Sequence, residues 1–515
     1  DMFTHMMPFY SYDGPHTCGP DPSVCCQFDF ARIGNKYGGC PWGKRAEPLS
    51  DKNIEQKSLM WLDQVYKKGM LYRSKHVLVP VGDDFRYQSN SEAQAQFDNY
   101  ELMFAWIRKN RPEVDVKFST LKTYFKAVRN ENATVPKLSG SFFPYADRTA
   151  DYWTGYFNSR IFYKGYDRKL ESIIAAAEKF CPSNSQSTER RNAHKALALF
   201  QHHDGITGTA KPNVVQDYFQ TMQTAVEGLE TELKSCLAVS GVSVNPLSID
   251  TPTHKAVQQK LIAETDNCQT VQPEDYKNFV ALDDTVEFNS EHEITKINGF
   301  SVHEKIVWRY NQEHGSAGAY LMDVQSDIQK IFISTSHNYD NCDTYTQFKT
   351  SYEFGSRVVR IYKKDATIEI TYHVNIQNFK SGELWATYTV PTFINPTLCS
   401  DVHGLSWECH TETPQPLQGN FWPMPTMAWL ENNNTRMTWA GAQPTGVGLS
   451  KNTMIIMLDR KSSNDDHRGL GQGINDNVPV ELKFAVLLEK GFGAIPSDKA
   501  LSLSQWMQNP AIILQ

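Results

Sequence analysis

The stretch RVVRIYKKDATIEITYHVNI (Arg357–Ile376) decides the fold of the C-terminal half of the chain. It contains two β-like runs around a turn, and apolar residues alternate with polar ones in each run, which is typical of strands. The same alternation continues in ELWATYTVPTF, TRMTWAG, MIIMLD and VELKFAVLLEK, with Pro and Gly between these segments. We therefore predict an antiparallel β-sandwich over residues 286–515.

Residues 149–237, upstream of this region, have the periodicity of helices. The runs RKLESIIAAAEKF (Arg168–Phe180) and STERRNAHKALALF (Ser187–Phe200) are joined by the turn CPSNSQ. In a third run, apolar residues recur at spacings of 3 and 4 and mark one buried helix face: Val214, Tyr218, Met222, Val226, Leu229 and Leu233. These patterns predict a helical bundle. The polar, weakly periodic interval 238–285 is predicted to be a linker or a degraded segment.

Residues 1–148 alternate short β-like runs with helical patterns, as α/β domains do. HVLVPVGDDF (His76–Phe85) is an apolar run that ends in Gly-Asp-Asp, which predicts a buried parallel strand with acids at its C-terminal end. Segments with helical periodicity precede and follow it: Asp51–Tyr72, Ser91–Lys109 and, after a short strand, the end of Val116–Val128. The predicted fold class is multidomain α/β plus all-β, with a partial α/β barrel-like domain, a helical bundle and an antiparallel β-sandwich.

Charge and hydropathy exclude several classes of partner. The 515 residues have a formal net charge of −7 and a pI near 6.1, which gives no electrostatic basis for binding nucleic acid or an anionic membrane. No apolar run approaches the roughly 18 residues of a membrane span, and no signal peptide is present. Since the chain begins at Asp1 rather than Met, we expect a fragment whose membrane association would depend on an anchor absent from this chain.

The cysteines indicate an oxidising compartment. Cys18, Cys25, Cys26 and Cys40 fall within 23 residues, in a segment rich in Pro and Gly. Adjacent cysteines do not readily bond each other, so Cys18–Cys25 with Cys26–Cys40 is one plausible pairing of three. A zinc knuckle is the alternative, although no CxxC pair is present. Two glycosylation sequons, at Asn132 and Asn433, fit the same lumenal or extracellular setting.

Two polar clusters are candidates for chemistry. Asp83 and Asp84 follow the apolar run, and a carboxyl group buried near another acid can serve as a general acid, but Gly-Asp-Asp is also good turn chemistry. In FQHHDGITGTAK (Phe200–Lys211), His203 and its neighbours offer imidazole and carboxylate groups suited to zinc. The alternative is a hydrogen-bonded core histidine and a capping aspartate, because zinc needs three or more protein ligands.

Two further segments carry aromatic residues beside polar ones. HMMPFYSYDGPHTCGPDP (His5–Pro22) places Tyr12 in a loop held by cysteines, which suits either sugar binding or loop stabilisation. QGNFWPMPT (Gln418–Thr426) and DDHRGLGQG (Asp465–Gly473) lie in the β-region. The latter is not a phosphate loop, because it lacks the lysine and does not join a strand to a helix.

Taken in order, five segments resemble family 38 glycoside hydrolases, the retaining α-mannosidases, and among them the Golgi type. They span nearly all of the chain: HMMPFYSYDGPHTCGPDPSVCCQFDF, VGDDFRY, SGSFFPYADRTADYWTGYFNSR, FQHHDGITGTAK and DDHRGLGQG. The resemblance implies that 1–148 is part of the catalytic domain and 149–237 the family's central bundle. It also implies one zinc ion per complete active site, an N-glycan substrate of high-mannose or hybrid type, and a place in the Golgi lumen.

The resemblance also implies roles for single residues. His203 would be a zinc ligand and Asp84 the general acid/base, with Asp83 holding substrate hydroxyls or shaping the pKa of Asp84. The residues that would contact the sugar are Tyr12, His202 and Asp204, with Phe421 and Trp422 forming an aromatic wall.

The chain departs from its family upstream. Relatives have a His-x-Asp pair before Pro-Gly-Trp and then a nucleophilic aspartate, and neither segment is found in this sequence. The chain also looks shortened between bundle and sandwich and at its C-terminal end. From the sequence we expect this chain alone to be a weak or inactive hydrolase. The alternatives are an inactive carbohydrate-binding paralogue or fragment, or joined gene pieces that do not fold.

Overall fold

A computed structural model describes residues 2–182, 187–238, 241–247, 250–253, 259–261, 266–271, 281–282, 285–402, 404, 406–432, 434–493 and 495–514. The chain divides into two compact units, Asp1–Ser139 and Gly140–Gln515. Within the described ranges, no helix combines the length and the apolar character that crossing a bilayer requires.

The first unit is built on helices and disulfides. Its helices are α1 (Pro22–Cys25), α2 (Ile54–Gly69), α3 (Asn90–Asn110) and α4 (Leu121–Asn130). The Ser89 side chain accepts a hydrogen bond from the Glu92 backbone N–H and caps α3. Buried side chains of α2 and α3, among them Trp61, Met103 and Ile107, form the core of this unit. The two long helices confirm the predicted periodicity on either side of the Gly-Asp-Asp segment.

The strand predicted at His76–Phe85 is absent from the structure. Residues 76–83 are in no strand, and among residues 2–139 no strand is found at all, so the predicted strand at the start of Val116–Val128 is also wrong. The apolar run is held by a side chain instead: the Lys68 ammonium group donates to the carbonyl oxygens of Thr17 (2.7 Å) and Leu78 (2.6 Å). An apolar run alone was therefore not enough to form a strand here, because a strand also needs a neighbouring strand with which to pair.

A helical bundle opens the second unit. It consists of α5 (Ile161–Phe180), α6 (Thr188–Phe200) and α7 (Pro212–Leu237), and a further helix, α8 (Asp498–Gln508), lies near the end of the chain. The three bundle helices share one hydrophobic cluster. The predicted apolar face of α7 is buried from Tyr218 to Leu233, but Val214 is exposed and Val215 is buried in its place. Pro212 starts the helix, so the buried face begins one residue later than predicted.

The remaining second unit is β-structure, and its strands are listed here in chain order: β1 (Ala146–Arg148), β2 (Asp151–Tyr152), β3 (Val242–Val244), β4 (Gln259–Leu261), β5 (Cys268–Val271), β6 (Ala281–Leu282), β7 (Val286–Phe288), β8 (Ile294–Ile297), β9 (Phe300–Ser301), β10 (His303–Asn311), β11 (Val324–Ile331), β12 (Ser336–Cys342), β13 (Tyr345–Tyr352), β14 (Gly355–Tyr362), β15 (Thr367–Val374), β16 (Gly382–Thr389), β17 (Thr397–Val402), β18 (Ser406–His410), β19 (Phe421–Met424), β20 (Met427–Asn432), β21 (Thr435–Gly441), β22 (Thr445–Ser450), β23 (Thr453–Lys461), β24 (Val480–Lys490) and β25 (Ile512–Leu514). All their pairings are antiparallel.

Two large sheets dominate this β-structure. One has six strands in the order β11-β10-β16-β23-β22-β19, and the other has ten in the order β18-β17-β20-β21-β24-β15-β14-β13-β12-β5. Trp308 and Leu384 from the first sheet and Tyr372 and Trp439 from the second belong to one buried cluster, so the core lies between the sheets. The predicted combination of helices with large antiparallel sheets is confirmed.

The opening stretch Arg357–Ile376 forms the predicted hairpin. In it, β14 and β15 pair from Gly355 opposite Val374 to Tyr362 opposite Thr367. The interval 238–285 was predicted to be a linker, and this is wrong for its described residues. There, β3 pairs with β4 and β25, and β5 extends the ten-stranded sheet through β12.

Candidate active site

Asp84 lies in an exposed loop of the first unit, beside Tyr12. The Tyr12 hydroxyl donates to Asp84 Oδ1 at 2.9 Å, so the fold brings together two of the predicted site residues that are far apart in sequence. The Asp84 backbone N–H donates to Asp83 Oδ1 at 2.8 Å. Asp84 is exposed and Asp83 is half-buried, so solvent reaches both carboxyl groups within this unit.

The backbone of this loop is strained. Phe85 and Tyr87 have positive φ angles of 56° and 60°, a region that residues with a side chain rarely adopt. The Tyr87 hydroxyl donates to the Val81 carbonyl oxygen at 3.2 Å and closes the loop on itself. Such strain persists where the surroundings fix the backbone, and it is common at functional sites.

A buried ion network lies beneath the loop. The Arg86 guanidinium group binds both Asp29 and Glu92, and all three side chains are at most 5% exposed. Arg32 Nε donates to Asp29 Oδ2 at 2.7 Å, and its Nη2 lies 3.8 Å from Asp83 Oδ2. Through Arg32, the network therefore restrains Asp83, which in turn accepts the hydrogen bond from the Asp84 backbone.

Exposed aromatic rings occur in the same unit. Tyr10 is 75% exposed and Tyr12 is 55% exposed, and Trp42 completes a chain of ring contacts through His16. His16 is in turn held by Asp13, with 2.6 Å between Nδ1 and Oδ1. Exposed rings on a loop held by disulfides offer flat faces of the kind that stack on sugar rings.

The second group of predicted residues, His202, His203 and Asp204, forms a turn after α6. His202 Nε2 lies 3.4 Å and His203 Nε2 lies 3.7 Å from Asp204 Oδ2. The side chains are 42%, 82% and 37% exposed, so all three are accessible. One potential ligand atom from each residue falls within 4.8 Å of the others.

Asp204 is oriented by the Thr209 hydroxyl, which donates to Asp204 Oδ1 at 2.8 Å. The Tyr320 side chain lies close enough to Asp204 and Thr209 to interact with both. Burial, followed by the charge of Asp204, raises the pKa of Tyr320 to about 12, so its hydroxyl remains a donor at neutral pH. The other oxygen, Oδ2, is the one that faces the histidines.

The segment DDHRGLGQG positions Tyr320. Asp466 is 2% exposed, and its Oδ2 accepts hydrogen bonds from the backbone N–H groups of Tyr320 (2.7 Å) and Leu321 (3.0 Å). A Cβ atom at Gly318 would lie 2.4 Å from the Asp466 carboxyl group, so only glycine allows this approach. The role of this segment is thus to support the turn at Asp204 through Tyr320.

Buried charged side chains from the start of α5 hold the same turn from below. Arg160 Nη1 donates to the carbonyl oxygens of Gly208 (2.7 Å) and Ala210 (2.6 Å), and Lys164 Nζ donates to that of Ile206. Burial lowers the pKa of Lys164 to about 7. Burial also raises the pKa of Asp167, which accepts a hydrogen bond from Gln201, to about 6. The turn is therefore rigid at several points while its two histidines stay exposed.

The donor set fits a zinc ion in part. Zinc bonds of about 2.0–2.1 Å in tetrahedral geometry place neighbouring ligand atoms roughly 3.3 Å apart. The separations of 3.4 and 3.7 Å from Asp204 Oδ2 are close to that value. Imidazole and carboxylate are both zinc ligands, and the hydroxyl groups on Oδ1 resemble the outer hydrogen bonds that orient such ligands. Three protein donors leave a fourth position for other ligands.

The aromatic wall predicted at Phe421 and Trp422 is wrong. Phe421 is fully buried against Trp385 and Phe157, and Trp422 is 3% exposed and stacks on His410 at 4.5 Å between ring centroids. The two side chains belong to two different buried clusters, although β19 is the edge strand of its sheet. Neither offers a free face to a ligand.

The disulfides include the pairing that adjacency favoured. Cys18 bonds Cys25 and Cys26 bonds Cys40, and the described residues contain three more: Cys181–Cys236, Cys268–Cys342 and Cys399–Cys409. Asn132 is exposed and has a positive φ of 51°, so its sequon is accessible. Asn433 lies outside the described residues.

The structure thus brings the predicted residues together in two groups, one in each unit: Tyr12 with Asp83 and Asp84, and His202 with His203 and Asp204. No sequence pattern signals Arg32 or Tyr320, since each acts through a contact distant in sequence. Trp42 follows Cys40 by two residues, and the sequence alone does not show that its ring is exposed.

Comparison with known proteins gives consistent matches along the chain. Residues 1–148 match the family described as "Glycosyl hydrolases family 38 N-terminal domain", and residues 151–239 match "Alpha mannosidase middle domain". The chain is 32% identical to Alpha-mannosidase 2 of Arabidopsis thaliana, over 100% of the chain and 58% of that protein. It is 29% identical to the human Alpha-mannosidase 2, over 98% of the chain and 58% of the relative. The chain therefore spans a little over half the length of these relatives.

Among solved structures, an alpha-mannosidase from Enterococcus faecalis V583 is similar in fold. Its TM-score is 0.68 at 11% sequence identity, and the match covers 89% of this chain and 68% of that one. At this identity the likeness establishes a shared fold, and the roles of individual residues depend on the geometry described above.

Proposed function

Because the chain belongs to glycosyl hydrolase family 38, we propose that it works as part of a retaining, zinc-dependent α-mannosidase that trims N-glycans in the Golgi lumen. The observation that carries the proposal is the convergence of His202, His203 and Asp204 on one point. Three consecutive residues supply these groups, and the Thr209 hydroxyl holds the carboxylate by its other oxygen.

Asp84 is proposed as the general acid/base. Its Oδ1 accepts the Tyr12 hydroxyl hydrogen, which leaves Oδ2 to carry the proton that the departing glycosidic oxygen needs. In a retaining enzyme a second carboxylate bonds to the anomeric carbon as that oxygen leaves, and Asp84 would then accept a proton from the water that breaks this bond. None of the residues assigned here supplies that second carboxylate. Asp83 stabilises the loop through the Asp84 backbone N–H, so we assign it a positioning role.

His203 is proposed as a zinc ligand, with His202 and Asp204 completing the donors that this chain supplies. Zinc bound there would act as a Lewis acid toward the vicinal hydroxyls of mannose. The chain's own contribution is to hold the turn still: Arg160 and Lys164 bind its carbonyl oxygens, and Tyr320 orients the carboxylate.

Asp84→Asn tests the proposed role in hydrolysis. With an aryl α-mannoside that has a poor leaving group, kcat is expected to fall by about 10²–10⁴, because no acid then protonates the leaving oxygen. An activated dinitrophenyl leaving group departs without protonation. With it, the rate of the first step, in which the leaving group departs, should fall much less. The matched control is Asp115→Asn, which changes an exposed carboxylate of the same unit.

Equal losses with both leaving groups would remove Asp84 from the acid/base role. Absence of turnover in the unmutated protein at saturating zinc would overturn hydrolysis as the activity of this chain. The stereochemical part of the proposal has its own measurement: proton NMR of the first-formed sugar should show the α-anomer, and a β-anomer would exclude retention.

A further inference from the structure

A large groove lies in the β-structure of the second unit, away from all the residues assigned above. Its volume is about 1270 Å³, beyond the range of about 300–1000 Å³ that holds drug-sized ligands. The ends of β10 and β11 form one side, and the loops that follow β13, β15 and β23 form the other. The site therefore has room for a ligand longer than a single ring.

The floor of the groove is aromatic and rigid. Trp308 and Phe354 are almost fully buried, and half-buried Phe379 contacts Trp308 with 5.0 Å between ring centroids. Phe379 also contacts Phe332, which in turn packs against Phe354 at 5.0 Å. Of these rings Phe379 is the one that is partly exposed, and its contacts with buried Trp308 and Phe332 hold it in place, so its free face costs little entropy to keep ordered.

The charges of the lining cancel. Lys330 pairs with Glu353, and the remaining charged lining residues are Lys380 and Glu313, one of each sign. Amide side chains are the commonest polar group around the groove; among them, Asn378 is exposed and makes no hydrogen bond within the described part of the chain. Amides pair with neutral hydroxyl groups in either direction, whereas a phosphate or a nucleotide would require an excess of positive charge.

We propose that this groove binds a neutral oligosaccharide, with a sugar face on Phe379 and the hydroxyl groups on the amide side chains. The size of the groove, the partly exposed ring of Phe379, the amide-rich lining and the balance of charge each favour this class of ligand. The binding step involves none of the residues proposed for hydrolysis, so it stands or falls independently of that activity.

Hydrogen exchange with mass spectrometry provides the local test. The probes are mannopentaose and maltohexaose, each added in increasing concentration to the whole chain. We expect slower amide exchange at residues 353–355 and 375–381, and the concentration dependence there gives the dissociation constant of the groove. The proposal would be overturned if neither sugar, at saturation, slowed amide exchange in these two segments. It would also be overturned if an added neutral peptide slowed exchange there and the sugars did not.

Two variants refine the test. Phe379→Ala should weaken the binding measured in these segments about tenfold, through loss of a sugar-stacking face. Asn378→Ala removes an exposed amide without touching the core and should weaken it about fivefold. The matched control is Asn338→Ala, which removes an exposed amide of β12 outside the groove and should leave binding unchanged. Unchanged affinity in Asn378→Ala and Phe379→Ala together would assign the sugar to another surface.

Discussion

At the scale of residues, the function proposed here depends on which oxygen of Asp204 is free. Thr209 donates to Oδ1, and Oδ2 faces both histidines. Tyr320 adds a second hydroxyl to the same arrangement, and its raised pKa keeps that hydroxyl protonated. The carboxylate therefore presents one oxygen in one direction, which a flexible exposed aspartate would not do.

Removing a ligand should weaken zinc binding more than removing its support. We expect His203→Ala to abolish zinc binding in a competitive titration against a fluorescent chelator, because only two protein donors remain. Tyr320→Phe, which keeps the ring and loses the hydroxyl, should weaken zinc binding by about 10–100-fold.

The control for this titration is His194→Ala, since His194 is an exposed histidine of α6 that pairs with Glu178 and lies apart from the donor cluster. Its zinc affinity should equal that of the unmutated chain. Equal affinities for His203→Ala and His194→Ala would exclude the turn as the zinc site, whatever the enzyme activity shows.

At the scale of elements, periodicity predicted most helices and the central hairpin, because in both the burial of one face follows from local sequence. It did not predict the state of His76–Phe85, whose apolar residues are held by Lys68 rather than by a neighbouring strand. The family resemblance assigned Phe421 and Trp422 to the sugar, whereas they are buried in the β-structure. These failures share a cause: the deciding partner is distant in sequence.

The turn after α6 depends on glycine at one position. Gly208 has φ +72°, and a Cβ atom there would lie 2.3 Å from the Ser159 carbonyl oxygen. Gly208→Ala should therefore lower the free energy of unfolding by about 3 kcal/mol or more, through strain plus a backbone clash. Urea unfolding followed by circular dichroism measures this.

Gly241→Ala is the matched control, because Gly241 has nearly the same φ, +68°, with open space where Cβ would go. Strain alone should cost about 1 kcal/mol there. If the two variants lose the same stability, the close approach to Ser159 contributes nothing and the turn is less tightly held than described.

At the scale of the whole molecule, long-range polar contacts join parts that local patterns treat separately. Arg460 is fully buried and binds Glu383 across the six-stranded sheet, and it also donates to Ser159 just ahead of α5. Asp459 precedes Arg460 in the chain. Its Oδ1 accepts hydrogen bonds from the backbone N–H of Arg460 and from the side-chain amide of Asn477. The sequence offered no sign of this buried centre, since each residue alone is an ordinary surface type.

Asp459 makes the stability of the chain depend on pH. Complete burial raises its pKa to about 8, above the value near 3.9 of an unfolded chain. Between these values the folded state holds a proton that the unfolded state has lost, so the free energy of unfolding falls as pH rises. The contribution is present below pH 4 and is lost progressively up to about pH 8, with a slope of about 1.4 kcal/mol per pH unit.

Asp459→Asn should remove this dependence, because the amide oxygen can accept the same hydrogen bonds and carries no titrating proton. The measurement is urea unfolding of both proteins at several pH values from 4 to 8, and the difference between their unfolding free energies should fall steadily across that range. Asp217→Asn, on the exposed face of α7, should follow the unmutated chain instead. Parallel curves for Asp459→Asn and the unmutated chain would mean that Asp459 is ionised in the folded protein, with Arg460 shared between it and Glu383. The conclusion that Asp459 is buried as a neutral acid would then be wrong. Asp459, Arg460 and Glu383 would instead form one ionised cluster.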